Sequence, residues 1–330
     1  MNKYKKNIIF LVIIALFVSF LILKDNFNNI IDLISKMNIW WFLVAIVFIF
    51  IYWLIQTLSL KVLADKKVSF FSLFKSTIIC NFFSAITPFA TGGQPFQIYF
   101  LKKKKISLGE ATNLVVSQSL FYQIGLVLIG TVAIIINYFF HIFPSNDLLK
   151  KLVIIGYLIN VFVIILLIIV STGKKTSSFL ADKIVKFLCK IKIIKNKEKT
   201  YEKINNTLTK FYESSKVLKG NKKDVIKGIF YNFIAFIFLY ITPYFIALSL
   251  GVHDLSIINT IVAVSYVMLI GAFVPIPGGT GGIEFAFLNF FGYFVIGTSL
   301  AAILLLWRFI SYYLAIIIGS IVLIIDKEGE

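Results

Sequence analysis

Long apolar runs separated by short connections rich in lysine set the pattern of this chain. An α-helix needs about 20 residues to cross the hydrocarbon layer of a bilayer. Six uninterrupted stretches qualify as full spans: Asn7–Leu23, Trp40–Leu60, Thr112–Phe140, Leu152–Val170, Gly228–Leu250 and Thr298–Ile325. The first follows Lys3, Lys5 and Lys6 as the core of a signal peptide would. Leu21-Ile-Leu-Lys24 occupies the place where small residues would mark cleavage, so this span is expected to stay as an anchor.

Two further apolar stretches are interrupted. Phe70–Leu101 contains Thr87-Pro-Phe-Ala-Thr-Gly-Gly-Gln-Pro-Phe-Gln97, and Ile257–Ile296 contains Val274-Pro-Ile-Pro-Gly-Gly-Thr-Gly-Gly-Ile-Glu284. Proline removes an N–H and glycine loses the most freedom when ordered, so helix must break at both. Lipid offers no partner to the freed backbone groups, and such a break persists only inside protein or against a polar cavity. The 32 residues of Phe70–Leu101 are too few for two spans, and a single crossing would place its two flanking lysine clusters on opposite sides. A re-entrant hairpin avoids that.

An ungapped overlay pairs Pro88 with Pro275, Gly92 with Gly279, Gln97 with Glu284, and Phe100-Leu101 with Phe287-Leu288. Paired breaks in two halves point to a transporter-type site between internal repeats. The pattern predicts an all-α integral membrane protein with six full transmembrane helices and two re-entrant broken-helix hairpins arranged as inverted repeats. A single transmembrane domain, 1–330, would hold repeat one (1–140) and repeat two (152–325).

Composition agrees: 59% hydrophobic residues and a mean hydropathy of +0.93 exclude a soluble domain. The net charge of +18 resembles a nucleic-acid binder, but the lysines lie in the connections, where the positive-inside bias puts them. With the amino terminus inside, the inner connections hold 27 lysines and the outer ones four. Nucleic acid is thereby excluded as a partner, and both termini are expected in the cytoplasm of a bacterial inner membrane. Segment 171–227 carries sixteen lysines against five acids, with apolar residues at helical spacing from Tyr201 to Leu218. It reads as a cytoplasmic basic amphipathic segment or as a solvated loop that fixes topology. Cys80 and Cys189 fit no metal spacing and no disulfide, and His141 and His253 stand alone in connections. No catalytic constellation, metal site or other cofactor is expected.

Three charges fall inside apolar segments: Lys75, Glu284 and Arg308. Lys75 lies near a segment start and can snorkel. Arg308 is the single arginine of the chain, deep in its last span. An unpaired charge there costs at least about 2.5 kcal/mol, so Arg308 and Glu284 should face each other or a cavity. Either they form a structural pair, or Arg308 binds a substrate anion while Glu284 orients it. Around them Pro275, Pro277, Gly278, Gly279, Gly281 and Gly282, and in the first break Pro88, Gly92 and Gly93, could form anion-binding concavities at helix amino termini. The same glycines could instead serve close helix packing. Gln94 and Gln97 would add polar contacts, and Lys102, Lys103, Lys104 and Lys105 would meet anionic headgroups.

Pro275-Ile-Pro-Gly-Gly-Thr-Gly-Gly-Ile-Glu284, Trp307-Arg-Phe-Ile-Ser-Tyr312 and the first break with its lysine run resemble the lysylphosphatidylglycerol synthase transmembrane, or flippase-like, family over essentially the whole chain. The resemblance implies a domain that moves lipids between leaflets, lysylphosphatidylglycerol in the best-known members, where it lowers susceptibility to cationic peptides. In those members a separate cytosolic domain makes the lipid from aminoacyl-tRNA. This chain stops at Glu330, so lysyl transfer by it alone is not expected. Many members have an arginine or acid where this one has Gln94 and Gln97, which leaves the headgroup open. The expected activity is translocation of an anionic or aminoacylated phospholipid or another lipid-linked headgroup. Alternatives are a membrane partner of a lipid or glycan synthase and an ion-coupled carrier of a soluble metabolite. Anionic phospholipids, such a synthase and a second copy of the chain are the expected partners.

Overall fold

A computed structural model describes residues 27–64, 68–144, 146–172 and 221–328. The expected span Asn7–Leu23 and most of segment 171–227 lie outside the described residues. In chain order the helices are α1 (Phe27–Ser35), α2 (Ile39–Leu63), α3 (Phe70–Ala85), α4 (Gly93–Lys103), α5 (Leu108–Phe140), α6 (Asp147–Thr172), α7 (Lys222–Tyr240), α8 (Thr242–Ser249), α9 (Ile257–Gly271), α10 (Gly282–Phe291), α11 (Gly297–Arg308) and α12 (Leu314–Glu328). A π turn over Phe309–Tyr313 joins the last two. No strand occurs among the described residues.

Short polar side chains set where the helices begin. Asn38, Ser69, Ser107, Asn221 and Ser256 each accept an N–H from the first turn of the helix that follows, and Asn146 does the same for α6. Each satisfies a donor the helix itself leaves free. Among the described residues, five helices are long and apolar enough to cross a membrane: Ile39–Leu63, Leu108–Phe140, Asp147–Ile168, Lys222–Ser249 and Gly297–Asp326. They correspond to the expected second to sixth spans. Pro243, at the start of α8, accounts for the joint between α7 and α8, since it cannot donate to the preceding turn. α7 packs closely along α2 and α5, and together with α9 to α11 these helices enclose the main apolar core.

The interrupted stretches fold as two helix–turn–helix arms, α3 with α4 and α9 with α10. α3 has 16 residues and α9 has 15, about 24 and 22 Å at 1.5 Å per residue, short of a ~30 Å hydrocarbon layer. Both ends of the first arm come together at one acid. Lys75, in the second turn of α3, and Lys104, just beyond α4, both reach Asp326 Oδ1, at 3.4 and 2.9 Å. Lys75 thus has a partner at the end of α12.

The second arm opens the other way. Its base surrounds Phe143, whose ring lies 5.6 Å from Tyr266, 5.0 Å from Phe290 and 5.8 Å from Tyr293. Phe143 follows the carboxyl end of α5, whereas the first arm leads into its amino end. The 33 residues of α5 separate the two bases by about 50 Å. The arms therefore enter from opposite ends, and the turns at their tips touch.

Because Asp326 pairs with a lysine on each limb of the first arm, Asp326→Asn is expected to loosen that base. These charges are partly exposed, so the stability loss should be only about 1 kcal/mol. Limited trypsin digestion should show it as faster cleavage within Lys102–Lys105.

Candidate functional site

The two tips are built alike. Thr91 and Thr280 each turn back on the proline three residues earlier. Their backbone N–H groups donate to Pro88 O and Pro277 O at 3.2 and 3.3 Å, and their hydroxyls to the same oxygens at 2.9 and 2.8 Å. Helix resumes at Gly93 and at Gly282. The equivalent residues are therefore Pro88 and Pro277, Thr91 and Thr280, Gly92 and Gly281, Gly93 and Gly282. This corrects the ungapped overlay by two residues. Pro275 is an exposed residue of the approach to the turn, and Pro277, which is buried, begins it. Glu284 consequently corresponds to Pro95 rather than to Gln97.

Backbone conformation matches at the two positions after the proline, with different residues, and then diverges, Gly92 having φ of −78° and Gly281 φ of +89°. Gly278 and Gly279 have φ of +64°, and their counterparts Phe89 and Ala90 have +52° and +53°. The left-handed region costs a residue with a Cβ about 1–2 kcal/mol, so the first tip holds strain that the second avoids.

Glu284 and Arg308 meet at the second tip. Both are 7% exposed. Arg308 forms an ion pair with Glu284, Nε to Oε1 at 2.8 Å, and its Nη2 donates to Gly278 O at 3.0 Å, with Thr280 Oγ1 at 3.5 Å. Glu284 Oε2 accepts the Gly281 N–H at 2.6 Å. The guanidinium lies over the Tyr312 ring, 4.5 Å from its centre. Tyr312 also packs on Ala85, the last residue of α3. One arginine at the end of α11 thus holds the turn, the start of α10 and a ring wedged against the opposing arm.

The wider π turn that begins at Phe309 carries Tyr312 under the guanidinium. Such turns are uncommon and concentrate at functional positions. Nη1 donates to nothing among the described residues, which leaves one arginine donor pair for a ligand. Of the two sequence readings, the structural pair is present in the geometry.

The remaining expected site residues divide. The amides of Gly92, Gly279 and Gly281 are already engaged, by Thr87 Oγ1, Ile276 O and Glu284. The concavity of the second tip therefore holds the protein's own carboxylate. Gly93 and Gly282 serve close packing: a Cβ would sit 2.1 Å from Ser84 Oγ at the first and 2.3 Å from Val274 Cγ2 at the second. Gln97 is buried and donates to Ser76 Oγ at 3.0 Å, bracing α4 on α3 rather than reaching Arg308. Gln94 is half-buried and its side chain makes no hydrogen bond among the described residues. Lys102, Lys103 and Lys105 are exposed, whereas Lys104 is turned to Asp326.

Tyr312 and Thr280 complete the site without having been singled out in the sequence. Tyr312 could have been found four residues after Arg308, where a helical neighbour falls on the same face. Thr280 sits between two glycine pairs and looked like turn composition. Trp307, stacked on Phe287 with ring centres 5.0 Å apart, has a buried Nε1 with no partner among the described residues.

The sequence model of a family described as "Lysylphosphatidylglycerol synthase TM region" matches residues 7–319. A protein of Archaeoglobus fulgidus described as a UPF0104 membrane protein is 25% identical over 292 residues, covering 85% of this chain and 85% of its own. A UPF0104 membrane protein of Methanocaldococcus jannaschii is 27% identical over 338 residues, covering 99% of this chain and 96% of its own.

Proposed function

The chain belongs to the lysylphosphatidylglycerol synthase transmembrane-region family, and from that membership and the tip geometry we propose that it translocates an anionic or aminoacylated phospholipid, or another lipid-linked headgroup, between leaflets. The observation that carries this reading is the buried Arg308–Glu284 pair where two opposed arms touch. Each arm opens toward one end of the molecule, so a headgroup could reach the tips from either leaflet. Arg308 Nη1 would meet the phosphate, and Glu284 would hold the guanidinium in place and balance its charge. The lysine distribution supports a cytoplasmic membrane with both termini inside, as in bacteria, although both relatives named above are archaeal.

The test is flux of a fluorescent phosphatidylglycerol across liposomes containing the purified protein. Arg308→Lys keeps the charge but loses the planar fork that engages Glu284 and Gly278 together. Its flux is expected to fall about tenfold, since losing one charge-assisted hydrogen bond costs about 1.5 kcal/mol or more. Full flux in that variant would remove the proposed role of the guanidinium.

The family's description as part of a synthase favours one second reading, a membrane partner of lipid synthesis. The same assay separates the two, because a partner produces no flux by itself.

A further inference from the structure

We infer that the base of the second arm forms a docking site for the headgroup of an anionic glycerophospholipid, at the end of the molecule opposite Lys102–Lys105. The inference rests on the proposed translocation and adds where the lipid is held on the far side. A cavity of about 300 Å³ lies between the carboxyl end of α5, the first turns of α6 and the second arm. Tyr266 and Phe290 form its inner wall, Tyr138 and Ile154 its flank, and His141 and Lys150 its polar rim.

Three observations select the ligand. The first is charge: Lys150 is exposed at the rim, and no carboxylate is among the lining residues. At the amino end of α6 the Leu148 and Leu149 amides are already taken by Asn146 Oδ1, at 3.1 and 3.2 Å. An anion there depends on Lys150. The second is the wall. Tyr138 and Ile154, 74% and 45% exposed, continue the cavity onto an apolar flank, which suits a ligand with a polar end and a hydrocarbon end. The cavity volume takes a headgroup and leaves the chains along that flank.

The third is correspondence between the arms. The base of the first arm meets the end of α12 through Lys75, Lys104 and Asp326, and the base of the second meets the end of α5 through Phe143 and its aromatic neighbours. The two bases are counterparts, one closed by ion pairs and one aromatic with a single lysine at the rim of its cavity. Ligand at the aromatic mouth should therefore be held mainly by contact area and only secondarily by charge.

With the exposed Trp40 and Trp41 replaced by phenylalanine, Tyr138→Trp places a reporter on the exposed flank. In vesicles of phosphatidylcholine, titration with brominated phosphatidylglycerol should quench it at about fivefold lower fraction than brominated phosphatidylcholine does, the preference expected from one lysine near a membrane surface. Lys150→Glu should abolish the preference. Lys150→Gln, which introduces no new charge, should reduce it to near unity with an unchanged thermal midpoint. Equal quenching by both lipids overturns the proposal, and so does a signal reversed by millimolar inorganic phosphate, which would mark a free-anion site. Glu284→Gln should leave the quenching intact. In the protein with Glu284 unsubstituted, docking without flux would refute translocation alone, and flux without preferential quenching would refute the docking site alone.

Discussion

Glu284→Ala is expected to bring lipid flux down to that of protein-free liposomes and to lower the thermal midpoint by roughly 5–10 °C. The carboxylate has two duties, pairing with the Arg308 guanidinium and accepting from the Gly281 amide. Without it, Arg308 is left nearly buried and unpaired, a situation that costs about 3–5 kcal/mol. Total stabilities are about 5–15 kcal/mol, so the loss is large without being total, and each kcal/mol is worth a few degrees at this chain length. Loss of flux by itself would not separate a site from a brace. Glu284→Ala combined with Arg308→Met does, because removing both charges leaves no unpaired ion and should recover most of the midpoint. If flux recovers with it, the pair only holds the arm in place; if flux stays absent, the guanidinium is needed for the lipid.

That pair was legible in the sequence because ionisable residues are costly in apolar segments, and with only three there the partner of Arg308 had few alternatives. The interruptions were equally legible, since proline and glycine act on any helix regardless of its neighbours. Register was not. Two prolines precede the second glycine pair, and composition does not say whether Pro275 or Pro277 starts the turn; the Thr280-to-Pro277 hydrogen bonds decide it. Gln97 was paired with Glu284 through the same slip, whereas in the structure it donates to Ser76. Asp326 went unnoticed because a carboxylate at the end of a span looks like an ordinary solvated end. Its role depends on two lysines, Lys75 and Lys104, more than 200 residues away in sequence. Long-range contacts of that kind arise from packing, and periodicity carries no trace of them.

Gly278→Ala is the second substitution expected to have a large effect, and the reason lies in what rests on the turn. Its φ of +64° is unfavourable for alanine, and an added Cβ would stand 2.2 Å from Tyr312 Cε2, on a rigid ring. Strain of about 1–2 kcal/mol and overpacking of about 1–3 kcal/mol act together. Tyr312 must move, and it then leaves the face of Arg308 and its contact with Ala85. Flux should fall by more than tenfold, at about 1.4 kcal/mol for each factor of ten. Gly281→Ala is the control. Its φ of +89° and ψ of −53° are strained for alanine but no atom lies within 4 Å of the added Cβ, so it lowers stability through the backbone alone and should leave Tyr312 on the guanidinium. The first tip shows that this turn accepts a Cβ when nothing covers it, since Phe89 takes the same conformation with its side chain 56% exposed. The demand for glycine at 278 therefore comes from the Tyr312 ring more than from the turn, and Tyr312→Ala in the Gly278→Ala background should recover the overpacking part of the stability loss. Recovery of stability without recovery of flux would assign the ring a part in positioning Arg308; no recovery of stability would mean that the strain lies elsewhere in the turn.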